Sequence, residues 1–163
     1  MREVAIRELA PADEATVERL LDSELGGRVQ ARLGEIHDVL ALPGLCAWLG
    51  DRILGVATYA PNGDRAELAA MAVSRDQRFA GIGSALIEAV ASTVAAAGGR
   101  ELWLVTTNDN VDALRLYQRR GFHITRVDSG AIDRARELKP TIPLLGRHGI
   151  PMRDELILVR PLP

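Results

Sequence analysis

Cysteine is nearly absent from this chain of 163 residues. The single Cys46 excludes an internal disulfide and offers no ligand spacing for a metal cluster, and within the apolar run LCAWL it reads as a small buried hydrophobe. A basic field is lacking too: a net charge of -2 and a pI near 5.9 give no electrostatic footprint of a nucleic-acid or anionic-membrane binder. No apolar run approaches the ~20 residues of a membrane span. The opening MREVAIREL alternates charged and apolar side chains like a first strand and has no signal-peptide core. Internal repeats, low-complexity runs and domain linkers are missing as well. What is present is ample apolar material, 47% of the residues, for a sizeable core. The expectation is one cytoplasmic domain spanning residues 1–163.

Lysine is the other scarcity. Lys139 is the one lysine, so the basic residues are otherwise arginine, and the stretch from Arg120 to Arg153 leans basic. Two readings stay open: a solvated face, or a patch that meets phosphates or an anionic acceptor.

The patterning gives a first strand over residues 3–9 and a helix that starts at Pro11-Ala12-Asp13-Glu14 and stops at Gly26-Gly27. A second helical stretch is expected from Arg28 to Leu40. Two β-rich runs follow, 45–49 and 53–60, joined by Gly50-Asp51, then a turn at Pro61-Asn62-Gly63-Asp64 and a third run over 65–73. Apolar residues from Ile82 to Ala97 recur at helical spacing. A strand over 102–106, a helix over 111–120 with Gly121 as its stop, and strands over 122–127 and 156–160 complete the pattern. Between the last two lies a long segment with a short helix in SGAIDRARELKP. Such an order describes an α/β (α+β) domain with a central mixed, mostly antiparallel sheet flanked by helices.

The most informative stretch is MAVSRDQRFAGIGS, residues 71–84, an apolar strand running through Arg78-x-x-Gly81-x-Gly83 into a helix. Unpaired N–H groups at a helix start suit a phosphate, and glycine lets the main chain come close to a ligand. An ordinary strand–helix turn fits the same residues. Rival phosphate motifs do not fit: the Walker pattern needs a lysine where Ser84 follows Gly83, and the dinucleotide fingerprint needs glycine where Leu86 stands. Further on, Asn110 and Tyr117 lie two helical turns apart on one helix face, where the tyrosine is either a packed side chain or a proton donor.

Taken together and in this order, the strand, the Arg-x-x-Gly-x-Gly turn, the helix, the next strand and Asn-x-x-Ala-x-x-Leu-Tyr with Gly121-Phe122 resemble the GNAT superfamily of acyl-CoA-dependent N-acetyltransferases. The segments TTNDN, YQRRGF, KPTIP and GIPMRDE further resemble a subgroup of it. The resemblance implies that acetyl-CoA (coenzyme A) is the cofactor. It places the pyrophosphate on the amides of Arg78, Phe79, Ala80, Gly81, Ile82, Gly83 and Ser84. It sets the pantetheine arm along Met71, Ala72 and Val73, with Asn110 helping to hold it, and it faces Tyr117 toward the thioester sulfur.

Acyl transfer to an amine needs a neutral amine, donors for an oxyanion and a proton for the departing thiolate. A backbone N–H near Met71 or Ala72 is the expected oxyanion donor and Tyr117 the expected acid. For the base, Glu67 matches a glutamate that works through water in many superfamily members, or is an exposed strand-end carboxylate. His37 is the other candidate, or a packing or surface residue. Asp109 reads as a solvated turn residue, with Thr106, Thr107 and Asn108 as a wall of the acceptor side. Residues 129–155 either fold over that side, bringing Lys139, Arg147 or Arg153 near a substrate, or pack an edge or a homodimer contact. The expected reaction is direct transfer in a ternary complex to a primary amine of a small molecule or peptide, with no nucleic-acid or membrane partner. The basic lean makes a polycationic acceptor less attractive. The alternative is an acyl-CoA-binding regulatory module without turnover.

Overall fold

The computed structural model describes residues 3–78 and 80–163. β1 (Ala5–Glu8) leads through a 3-10 turn at Pro11–Asp13 into α1 (Glu14–Leu25). Where a second helix is expected, the chain forms a β-hairpin, β2 (Val29–Arg32) and β3 (Glu35–Asp38). Its two-residue turn puts Leu33 at φ 50° and Gly34 at φ 77°. Leucine is an unusual occupant of that first position, where Asn or Asp would have announced the hairpin. Arg28 closes the open end, donating to both carboxylate oxygens of Asp38 (2.9 and 3.0 Å) and to Glu14 at 2.9 Å.

β4 (Gly44–Leu49), β5 (Arg52–Asn62) and β6 (Arg65–Val73) form an antiparallel meander. All three are buried over most of their length because helices cover both faces, which is why they read as unbroken apolar runs. β5 runs past Pro61, shortening the expected turn to Gly63-Asp64. Proline is tolerated because β4 stops pairing at Thr58, so the missing N–H has no ladder to break. α2 (Ile82–Ala96) then crosses over to β7 (Glu101–Thr107), which lies parallel to β6. α3 (Val111–Arg119), β8 (His123–Asp128), α4 (Ala131–Leu138) and β9 (Glu155–Pro161) follow.

The seven strands stand in the order β1-β4-β5-β6-β7-β9-β8, antiparallel throughout except at β6–β7. One core, with Leu54, Leu86, Ile87, Val90, Leu104 and Phe122, lies under α2. The other, with Val17, Leu21, Val39, Cys46 and Val56, lies under α1. Burial pushes the Cys46 thiol up to about 12, so it is an inert hydrophobe.

Two features of β6 open the sheet. It pairs with β7 only from Arg65 to Glu67, opposite Glu101 to Trp103. Opposite β5, Thr58 faces Ala70 while Tyr59 faces Leu68, so Ala69 is an unopposed bulge residue that bends the strand. Beyond Glu67 the two parallel strands diverge, and the edge of β6 facing the gap has no ladder partner in β7.

Residues 129–155 form a flap. α4 packs on β2 and β3, and Arg136 gathers the carbonyls of Ile142 (3.2 Å), Pro143 (2.6 Å) and Met152 (2.8 Å). Lys139 Nζ ties the flap to the hairpin through the Val29 carbonyl at 2.7 Å. Among the described residues no helix is long and apolar enough to cross a membrane.

Candidate active site

The turn after β6 delivers Gly81 in the left-handed region, φ 83° and ψ 2°, as the N-cap of α2. Among the described residues no side chain caps this helix, and its first internal bond is Ala85 N–H to Gly81 C=O at 3.0 Å. The amides of Ile82, Gly83 and Ser84 therefore have no intrahelical acceptor and point out of the helix start with its partial positive charge. Gly83 answers a packing need: a Cβ there would lie 3.0 Å from Leu116 Cδ2 of α3. Ile82 buries its side chain in the core and can serve only through its main chain. Phe79 lies outside the described residues.

This turn, the free edge of β6 and α3 enclose a groove of about 430 Å³. Met71, Ala72 and Val73 form one wall, and Asn110, Leu116 and Tyr117 the other. Arg115, Arg119, Arg120 and Arg147 line it as well, so part of the basic lean of the sequence faces this groove. The Arg78 guanidinium lies against it but is ion-paired with the buried carboxylate of Glu24, at the end of α1. Asn110 Nδ2 donates to Thr106 Oγ1 at 3.2 Å, while its buried Oδ1 has no hydrogen-bond partner among the described residues.

Tyr117 is buried in α3 with its ring edge-on to Phe122, centroids 5.8 Å apart. Burial pushes its phenol up to about 12, and the Arg147 charge pulls in the opposite direction. The group is thus protonated throughout the physiological range.

A second cavity, about 520 Å³, occupies the gap where β6 and β7 diverge. Glu24, Leu25, Met71, Asn110, Tyr117 and Arg147 line both spaces, so the two meet at Tyr117. Hairpin residues Gln30, Ala31 and Arg32 wall it on one side, and flap residues Pro143, Leu145, Gly146, Arg147 and Met152 on another. Arg32 is buried with its Nε 2.5 Å from Glu67 Oε1, and its Nη1 has no partner among the described residues. Glu155 of β9, paired with Thr107, is also buried on this wall, and burial raises its carboxyl above the usual range.

Of the residues singled out in the sequence, the fold thus brings Met71, Ala72, Val73, Arg78, Gly81, Gly83, Ser84, Asn110 and Tyr117 to one groove. Ala80 sits in the turn beside them. Glu67 is buried rather than exposed, and it stands behind Arg32. His37 lies on strand β3 instead of a helix, 3.4 Å from Glu35, and lines neither cavity. Asp109, expected in solvent, is buried: Oδ1 accepts from Thr107 Oγ1 at 2.5 Å and Oδ2 from the Arg147 N–H at 2.9 Å. Glu24, Arg32 and Glu155 carry no local motif, because each becomes part of the site only through contacts distant in sequence.

Residues 13–122 match the acetyltransferase (GNAT) family. The uncharacterized protein YxbD of Bacillus subtilis (strain 168) is 38% identical over 112 residues, 69% of each chain. Two solved structures share the fold. An IAA acetyltransferase from Bacillus cereus ATCC 14579 superposes with a TM-score of 0.80 at 23% identity, covering 98% of this chain and 100% of that one. A Bacillus subtilis acetyltransferase solved in complex with CoA gives 0.79 at 20% identity, covering 99% and 100%.

Proposed function

The chain belongs to the acetyltransferase (GNAT) family, and from that membership we propose that it transfers an acetyl group from acetyl-CoA to a primary amine within a ternary complex. The observation that carries the reading is the meeting of two cavities at Tyr117; the first suits a phosphate-bearing extended ligand, and the second leaves room for another molecule. The cofactor fits the residues present. Uncapped amides at Ile82, Gly83 and Ser84 suit its pyrophosphate, the unpaired edge of β6 at Met71 to Val73 suits its pantetheine arm, and the orphaned Asn110 Oδ1 is an acceptor for an amide N–H of that arm. CoA or acetyl-CoA in two related folds supports the same assignment.

Bound acetyl-CoA supplies a thioester for the amine to attack. The chain's own part is positional and electrostatic. The Met71 main-chain N–H, on the side of β6 that faces the gap, is the donor for an oxyanion in this reaction and needs no reorganisation when charge develops, whereas the Ala72 main chain, expected as an alternative donor, is turned toward β5. Tyr117 enters the reaction with its Oη proton in place, as an acid must, and Arg147 is the cation that meets negative charge on the phenol oxygen as that proton moves toward the departing sulfur. Direct attack requires no protein nucleophile, in keeping with the buried, protonated Cys46.

Amine-dependent release of thiol from acetyl-CoA tests the proposal. Tight acetyl-CoA binding without thiol release from any amine favours the regulatory-module alternative.

A further inference from the structure

Most charged side chains around the second cavity already have partners, and the Arg147 guanidinium reaches the Glu24 carbonyl at 3.3 Å without an ion pair among the described residues. Glu24 is paired with Arg78, and Arg32 with Glu67. Asp109 has both oxygens hydrogen-bonded, one of them by the Arg147 main chain. Glu155 is different. It is 3% exposed, it has no ion pair among the described residues, and the hydrogen bond it accepts is the Leu33 N–H to Oε2 at 3.3 Å. A buried carboxylate so poorly partnered is costly to hold and needs a compensating cation. The remaining walls are largely apolar: Leu25, Leu68, Val105, Pro143, Leu145 and Met152.

Resting on the acetyltransferase reading, we infer that Glu155 receives the acceptor's ammonium and takes its proton, and that the acceptor is a monoamine with an apolar body. One unspent carboxylate matches one cationic centre. A polyamine would bring further positive charge toward the Arg32 and Arg147 guanidiniums that line the same cavity, and an acceptor as small as glycine has no apolar body to meet Leu68, Val105 and Met152. The step balances as a simple exchange: R–NH3+ and the carboxylate become R–NH2 and the carboxylic acid, and that proton then passes to solvent. Glu155 suits the role because burial raises its proton affinity, opposed by the Leu33 N–H, Arg134 of α4 and Arg32 of β2, and reinforced by Asp128 of β8. Glu67 and His37 do not compete for it: Glu67 is held by Arg32 and His37 lines neither cavity.

The test compares the full-length wild type with Glu155→Gln and Glu155→Asp. Thiol release is followed with isoamylamine, 2-phenylethylamine, spermidine and glycine as probes, and acetyl-CoA binding is titrated separately. Both monoamines outrun spermidine and glycine. Glu155→Gln binds acetyl-CoA as wild type does, loses kcat about 10²–10⁴-fold, as for a missing general base, and loses the acid limb of its kcat/KM profile; Glu155→Asp restores part of the rate and the limb. The glutamine variant also melts no lower than wild type, because it no longer buries a charge, whereas a purely structural carboxylate would leave it less stable. Preference for spermidine or glycine, failure of both monoamines in a protein that binds acetyl-CoA, or an unchanged pH profile in Glu155→Gln overturns the inference. Failure to bind acetyl-CoA overturns the acetyltransferase reading itself, and the inference with it.

Discussion

Arg78, in the turn that precedes α2, spends its guanidinium on Glu24, whose side chain is 4% exposed at the end of α1. The pair ties the first helix to the turn before α2. Under the proposed function it also divides the labour there: the main-chain amides after Gly81 would hold the anion, while the nearby charge locks the turn in place.

Arg78→Ala should accordingly cost more in stability than in affinity. It leaves a buried carboxylate without its partner, a loss of roughly 1–3 kcal/mol, while the dissociation constant for acetyl-CoA changes by less than about tenfold, roughly one hydrogen bond's worth. Adding Glu24→Ala restores most of the lost stability. Denaturant unfolding of the two variants beside a binding titration checks both halves.

Tyr117→Phe is expected to lower kcat about 10²–10⁴-fold with little change in acetyl-CoA affinity, the signature of a lost proton donor. It also carries a pH signature. The unfolded phenol titrates near ~10, while the folded one is held up to about 12. Over that window the folded chain binds more protons than the unfolded one, so this group's share of the stability is lost as pH rises. Urea midpoints at pH 9 and pH 11 should fall further for wild type than for Tyr117→Phe. Equal falls would remove the buried, protonated phenol from the account.

The Arg32–Glu67 pair, each side chain about nine-tenths buried, makes a different demand. Arg32→Ala should destabilise the fold by about 3–5 kcal/mol, because it strands Glu67. The double change Arg32→Leu with Glu67→Leu should return near wild-type stability, since two apolar groups strand nothing. Glu67→Gln should lower the melting temperature and leave the acid limb of the rate profile in place. Loss of that limb in Glu67→Gln would make Glu67 the proton acceptor instead of Glu155.

These variants trace how much could be read along the chain. Gly81, Gly83, Asn110 and Tyr117 were legible because turn chemistry and helical spacing are local, and the elements they sit on follow from apolar periodicity. The hairpin at Val29–Asp38 was not, because Leu33 occupies a left-handed position that usually advertises itself with Asn or Gly. Arg32 and Glu155 line the second cavity only because that hairpin folds toward β9, where the Leu33 N–H reaches Glu155 across 122 residues of sequence. Asp109 looked solvated because nothing near it in the chain reveals that the flap will cover it through Arg147.

Leu33 itself offers a test of that explanation. Holding a leucine at φ 50° costs about 1 kcal/mol that asparagine avoids in large part. Leu33→Asn should raise the melting temperature by about 2–4 °C for a domain of this size. A drop would mean that the leucine side chain packs usefully enough to outweigh its backbone strain.

The central claim is that the groove between β6 and α3 is an acetyl-CoA site, and calorimetric titration of the purified protein with acetyl-CoA, with ATP and NAD as controls, tests it most directly. Micromolar binding of acetyl-CoA, silent controls, and loss of the heat in Gly83→Glu, where a carboxylate would stand among the amides, is the predicted result. No heat with acetyl-CoA, equal heats with ATP or NAD, or undiminished binding in Gly83→Glu would contradict it.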